Sequence, residues 1–424
     1  MTNLTSAPPP RQGKRVRATL TYFAIVIATL VVVDIILVGF DLFPPTMSYG
    51  DPDLGWRPAE ATGHMALGRC VEVMSGRIID YSRNEDGVRT DRSRAQLANR
   101  ASGIAIGVVG DSHTDLCSTN EQLHSGVLES ALHSDGLDAT VFTYGAGKYS
   151  PVQEYLAYRL VLKPYRPQVL VVNLYTGNDF YDILRVDDRP HFESRADGYT
   201  MAPPVWYSRD DPSVRYRSRV LFALRSMAEA VGVRRLYLRV SELRRVAAQQ
   251  GAGLATVAAY MRDLWKAREP AVGYPDAFTS QMLNQQLFFY HFPPSQAESI
   301  RRIRALMAMI KDENPGVVLV MSPIPSYQLA GTLPVDSVFL RTVARVPVSY
   351  DEGAAQERAL YDTLRVAADE LGWIFVDNLS ALQAYRGKGR LYNDVDYHIL
   401  PAASALIGNA QAAALVDTLK VLSH

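Results

Sequence analysis

Beyond its first residues the chain opens on a largely apolar stretch, Ala18 to Phe43, longer than the roughly 20 residues that suffice to cross a bilayer. Further on, short apolar runs of strand length occur at Ile104 to Val109, Ala139 to Phe142, Gln168 to Leu174, Val317 to Met321 and Trp373 to Val376. Segments whose apolar residues recur at helical spacing separate them: Asp115 to Leu132, Gln296 to Lys311, Ala355 to Leu371 and the alanine-rich Ala402 to Leu422. Short runs without polar alternation read as strands buried on both faces. Alternating with helices, they predict an α/β fold in which a parallel sheet is covered on both sides.

The same pattern divides the chain. Residues 1–17 form a polar tail, 18–43 the apolar span, 44–100 a turn-rich approach segment, and 101–424 the main domain, interrupted by an insertion at about 183–295. Arg11, Lys14, Arg15 and Arg17 precede the span, which predicts a cytoplasmic N-terminus and an exported main domain. The segment Gly39 to Pro45 lacks a small-x-small cleavage site, so an uncleaved anchor is expected rather than a signal peptide. Asp34 within the span costs about 2.5–3.5 kcal/mol if it faces lipid. Two placements remain open for it, against a polar partner helix or shifted to the outer interface by helix tilt.

Charge changes the picture little for the whole molecule and more for the insertion. With 44 basic and 44 acidic residues in 424 the formal net charge is zero, which gives no general attraction to nucleic acid. Between Arg215 and Arg245, however, arginines far outnumber acids, and Leu221, Leu224, Ala228, Val231, Leu236, Val240 and Leu243 recur at helical spacing. This largely helical insertion is open to three readings: an amphipathic surface for anionic lipid, a lid that binds an anionic glycan or headgroup, or a solvated helical face on the core. Trp206, Tyr207, Tyr216, Tyr237 and Trp265 around it suit sugar stacking or core packing.

Candidate chemistry sits at the ends of the apolar runs. Gly110-Asp111-Ser112-His113 follows the first run, Thr143-Tyr144-Gly145-Ala146-Gly147 the second, and Thr176-Gly177-Asn178-Asp179 the third. Asp394-Val395-Asp396-Tyr397-His398 precedes the last helix. Ser112 on a tight strand-to-helix turn would present its hydroxyl at the carboxyl edge of the sheet, near helix N-terminal N–H groups; the alternative is a turn serine that caps the helix. A serine, a glycine N–H, an asparagine amide and an Asp-x-His loop in this order make an acyl-transfer set.

In these blocks, over roughly residues 101–182 and 296–420, the chain resembles the SGNH hydrolases, the GDSL-like esterase family, in their three-layer α/β/α fold. The resemblance implies Ser112 as nucleophile, His398 as general base and Asp396 as the acid that orients it. It implies an oxyanion hole from the backbone N–H groups of Ser112 and Gly145 and the amide of Asn178. The family's commoner Asp-x-x-His spacing is replaced by acids two and four residues before His398, which leaves Asp394 as a rival to Asp396. The shorter spacing resembles that of membrane-associated branches. Thr143, Lys148 and Ala403 also depart from the pattern, and Lys148 reads as solvated or as a contact for an anionic substrate.

No histidine, cysteine or carboxylate cluster has zinc spacing, and no glycine-rich loop ends in the Lys-Ser/Thr of a phosphate cradle, so neither metal nor other cofactor is expected. His113 is expected to pack or to meet substrate rather than act as base. Asp111 and Asp179 are expected to bond the backbone of their turns. Cys70 and Cys117 either pair or remain buried thiols. The expected function is that of an extracytoplasmic hydrolase or O-acyltransferase acting on acylated cell-envelope saccharide or a related ester, beside an acyl-supplying membrane protein in the second case. A non-catalytic glycan-binding or polysaccharide-assembly protein that retains the fold is the alternative.

Overall fold

The computed structural model describes residues 12–39, 48–58, 66–71, 78–100, 102–186, 189–195, 198–204, 293–331, 350–393 and 397–422. Helix α1 (Gln12–Gly39) precedes two antiparallel hairpins, β1 (Ser48–Asp51) with β2 (Gly55–Pro58), and β3 (Ala66–Val71) with β4 (Ile78–Arg83). After α2 (Arg94–Ala98) come β5 (Ile104–Gly110), α3 (His124–Ser134), β6 (Ala139–Gly145), α4 (Pro151–Ala157), β7 (Val169–Tyr175) and α5 (Asp179–Asp182). A third hairpin, β8 (His191–Arg195) with β9 (Gly198–Ala202), opens the insertion. The chain then forms α6 (Pro293–Glu313), β10 (Val318–Ile324), α7 (Tyr327–Ala330), α8 (Tyr350–Leu371), β11 (Ile374–Phe375), α9 (Asn378–Gln383) and α10 (Pro401–Leu422). The arginine-rich segment and its aromatic residues lie outside the described residues.

Five parallel strands make the central sheet, in the order β11-β10-β7-β5-β6. Alternation along each strand divides its side chains between two cores. Ile104, Ile106, Val108, Val169 and Val171 face one layer, formed by Leu128 and Leu132 of α3 and Ala412, Leu415 and Leu419 of α10. Ala105, Val109, Leu170 and Val172 face the other, which holds Tyr155 of α4, Ile303, Leu306 and Ile310 of α6, and Leu364 and Ala368 of α8. The result is the expected three-layer α/β/α sandwich. Leu54, Trp56, Val88 and Leu97 of the approach segment are buried in the second core, so this segment is part of the packed body.

Among the described residues, α10 is the helix that is long and apolar enough to cross a membrane by length and composition. Ile407, Gln411, Ala412, Leu415 and Leu419 are fully or nearly fully buried, with Ala412, Leu415 and Leu419 in the core against α3 and the sheet, which accounts for its apolar character as a core helix. The apolar side chains of α1 behave in the opposite way: Leu20, Phe23, Ile27 and Ile35 are all more than half exposed.

The region after Ser112 differs from its reading as a helix over Asp115–Leu132. It runs as a loop and a short 3-10 turn, Asn120–Gln122, before α3 begins at His124. Distant residues capture this stretch instead. Asp115 pairs with the buried Arg83 and Arg89 at 2.6 and 3.0 Å, and Arg89 also donates to the carbonyls of Leu116 and Ser118. Cys117 forms a disulfide with Cys70 of β3. The open question of the two thiols is thereby answered, and Ser112 is displaced from the N-terminus of α3.

Candidate active site

The serine turn is shaped by a close approach of backbone. Gly110 ends β5, and a Cβ there would lie 2.1 Å from Thr114 Oγ1 and 3.0 Å from the Asn173 carbonyl of neighbouring β7. Asp111 closes the turn: its Oδ1 accepts the N–H of His113 at 2.8 Å, and its carbonyl accepts the N–H groups of Thr114 and Asp115 at 3.1 Å. Ser112 is left half-buried at the carboxyl edge of the sheet, while Asp111, His113 and Thr114 are buried.

The C-terminal loop is fixed independently of the serine turn. Asn393 donates its N–H to the His398 carbonyl at 2.8 Å, and the Tyr397 N–H donates to the Asn393 carbonyl at 3.1 Å. Tyr397 adopts a left-handed φ of 57°, uncommon for a bulky residue, and its ring stacks on Tyr327 with centroids 4.1 Å apart. His398 emerges half-buried, its ring centroid 4.9 Å from that of His113. His113 stacks on Tyr175, at the end of β7, at 3.6 Å. The ends of β5 and β7 and the C-terminal loop thus meet at His113, the neighbour of Ser112 in the chain. Asp394 and Asp396 lie outside the described residues.

Electrostatics separate the histidines. Burial, and then the neighbouring His398 and His124, hold the His113 imidazole well below its ordinary pKa, so it is neutral at physiological pH. Burial pulls His124 down to about 4. Neither ring is suited to hold a proton taken from a serine near neutrality. The acids behind the turn differ in the same way. Burial raises Asp111 to about 6 and pushes Glu154 and Asp179 well up. Burial opposes charge on Asp182 too, but Arg189 and Arg185 overcome it and hold this carboxyl below its ordinary range.

The oxyanion candidates come from the two strands flanking β5. Gly145 ends β6 directly opposite Gly110, where a Cβ would press on the carbonyl oxygens of Gly110 and Asp111 at 2.8 and 3.0 Å. Two residues on, the place of the missing Cβ of Gly147 is 3.9 Å from Ser112 Cβ. The sequence reading passed over Gly147, although the repeated glycine of Gly-Ala-Gly was its visible mark. Lys148 beside it is exposed with φ 68°. Asn178 precedes α5, buried, and donates from Nδ2 to Asp182 Oδ2 at 2.8 Å. Asp179 Oδ2 accepts the Tyr175 N–H at 2.6 Å and so ties this turn to the end of β7. Thr143 is buried within the β6 ladder and exchanges backbone bonds with Arg89.

Trp56, Asp182 and Arg189 also reach the site, and no sequence motif marked them. Among the described residues no group of three or more His, Cys, Asp or Glu side chains could hold a metal ion.

No family model matches the chain, and no curated protein does. Among solved structures it is similar to a lipase/acylhydrolase from Enterococcus faecalis, at 8% identity and a TM-score of 0.36, over 74% of this chain and 96% of that one. A catalytic mutant of an acetylxylan esterase from Geobacillus stearothermophilus is similar at 10% identity and a TM-score of 0.36, over 74% and 94%. TesA is similar at 12% identity and a TM-score of 0.35, over 73% and 97%. A putative SGNH hydrolase from Slackia heliotrinireducens is similar at 10% identity and a TM-score of 0.33, over 74% of this chain and 100% of that one.

Proposed function

We propose that the chain is a membrane-anchored serine acyl-ester enzyme of the SGNH type. One observation carries this reading: the half-buried Ser112, the Gly145–Gly147 loop, the Asn178 amide and the His398 loop share one edge of the sheet, although three of the four come from separate strand ends. A serine hydroxyl is a weak nucleophile until a base takes its proton, and a tetrahedral oxyanion needs donors placed beforehand. In this account Ser112 attacks the acyl carbonyl and His398 receives its proton, oriented by Asp396. The N–H groups of Ser112 and the glycine loop and the second Nδ2 hydrogen of Asn178 receive the oxyanion. His398 then protonates the leaving alcohol. Water resolves the acyl-enzyme in a hydrolase, a sugar hydroxyl in an O-acyltransferase, and the first half-reaction serves both.

Two further features support the location in this reading. The exposed apolar surface of α1, with Lys14, Arg15 and Arg17 at its start, suits a bilayer span with a cytoplasmic N-terminus. A disulfide between Cys70 and Cys117 suits an oxidising compartment for the remainder. The substrate class we favour is an acylated saccharide of the cell envelope, within reach of an anchored domain. The test is labelling of the full-length chain in detergent by a fluorophosphonate. Labelling that disappears in Ser112→Ala supports the enzyme. No labelling of the wild-type chain would favour a glycan-binding protein that keeps the fold.

A further inference from the structure

Two arms of the proposed oxyanion hole, the glycine loop after β6 and Asn178 before α5, lie on opposite sides of the serine turn and share no backbone hydrogen bond with each other. They are nevertheless connected through side chains from outside every motif. The indole Nε1–H of Trp56, in β2, donates to the Gly147 carbonyl at 3.1 Å. The Arg189 guanidinium lies 5.9 Å from the centre of the Trp56 indole, within cation–π range. Arg189 pairs with Asp182 at 2.7 Å, and Asp182 accepts the Asn178 amide at 2.8 Å. All four side chains are buried.

We propose that Trp56, Arg189 and Asp182 form a bridge that positions both outer arms of the oxyanion hole against Ser112. The inference rests on the reading of Ser112 as nucleophile. Each link restrains a different freedom. The indole fixes the plane of the Gly147–Lys148 peptide, next to the residue with left-handed φ. A carboxylate can only accept, so Asp182 turns the nitrogen edge of Asn178 toward itself and leaves the second amide hydrogen directed elsewhere. Arg189 keeps Asp182 charged and links it to the indole. The hairpin that carries Trp56 is itself anchored to the same loop and to α4 behind it, since Tyr149 Oη donates to the Trp56 carbonyl at 2.6 Å and Gln153 Nε2, on α4, to the Leu54 carbonyl at 2.6 Å. The approach segment therefore completes the catalytic edge rather than merely leading to it.

Trp56→Phe keeps an aromatic ring and removes the N–H donor together with part of the indole; Asp182→Asn keeps the volume and an acceptor oxygen and removes the charge that holds Arg189. The full-length chain in detergent, assayed with p-nitrophenyl acetate and a fluorophosphonate, gives the test. Positioning predicts that each variant loses about 10- to 100-fold in kcat and in labelling rate while KM stays within about twofold, because a small misplacement of a donor affects the transition state alone. The double variant should lose no more than the worse single one, since both act through one network. Melting temperatures should fall, through the space left by the smaller ring in one variant and the unpaired buried Arg189 in the other, so both constants are read well below them. Overturning results are a Trp56→Phe kcat within about twofold of wild type, or losses that multiply and follow the melting temperature. Wild-type labelling with an unaffected Trp56→Phe would sink the bridge alone, whereas an unlabelled wild type would remove the nucleophile and the bridge together.

Discussion

Removing the disulfide should weaken the fold markedly while sparing the site. Cys70 and Cys117 are separated by 47 residues, and closing a loop of that size lowers the entropy of the unfolded chain by an amount worth about 4 kcal/mol at 25 °C. On the folded side little is lost. Arg83 and Arg89 hold Asp115, and Arg89 holds the carbonyls of Leu116 and Ser118, so the stretch around Cys117 is pinned without the sulfur bridge. The double variant Cys70→Ser, Cys117→Ser should therefore melt roughly 5–10 °C below the oxidised wild type. Reductant should bring the wild type to the same temperature and leave the variant unmoved. Fluorophosphonate labelling of Ser112 should persist in the variant well below its melting point. Two titratable thiols in the untreated wild type, or equal melting temperatures with and without the bridge, would refute the reasoning.

The buried Asp111 makes stability depend on pH. Its pKa is raised from 3.8 to about 6 by burial, so the folded state binds this proton more tightly; the associated stability is present below 3.8 and is lost as pH rises through about 6. Asp111→Asn retains an oxygen for the His113 N–H, so its melting temperature should fall less steeply over that window, and an unchanged slope would exclude Asp111 as the cause. Gly145→Ala forces a methyl against the backbone oxygens of Gly110 and Asp111, which cannot rotate away, and should cost about 1–3 kcal/mol in denaturant unfolding as well as most of the labelling rate. Wild-type stability and labelling would show that β6 can move aside freely. A reporter fused after Pro45 should be active only outside the cytoplasm, and an N-terminal tag should remain on the mature chain; loss of the tag would indicate a cleaved leader.

The sheet was legible because parallel strands buried on both faces read as continuous apolar runs. Ile104–Val109 and Gln168–Leu174 lie within a residue of the ends of β5 and β7. The segment after Ser112 was misread because apolar spacing carries no information about partners far away in the chain: Asp115 belongs to Arg83 and Arg89, and Cys117 to Cys70. Similarly, Ser112, Asn178 and His398 could be picked out as polar residues at element ends, whereas nothing in the sequence around Trp56 marks it. Its role depends on where the carbonyl of Gly147 lies, which only the folded chain determines. The placement of Asp182 on the turn of α5 beside Asn178 was within reach of a helical-spacing argument; its link to Arg189 was not.

The central claim is that Ser112 is a nucleophile activated by His398. Brief exposure of the full-length chain to an activated acetyl ester, followed by acid quench and peptide mass mapping, tests it directly. The account predicts one acetyl group on the peptide at Ser112 in the wild type, and none there in Ser112→Ala or His398→Ala. Acetylation at a different residue, or undiminished acetylation of Ser112 in His398→Ala, would contradict it.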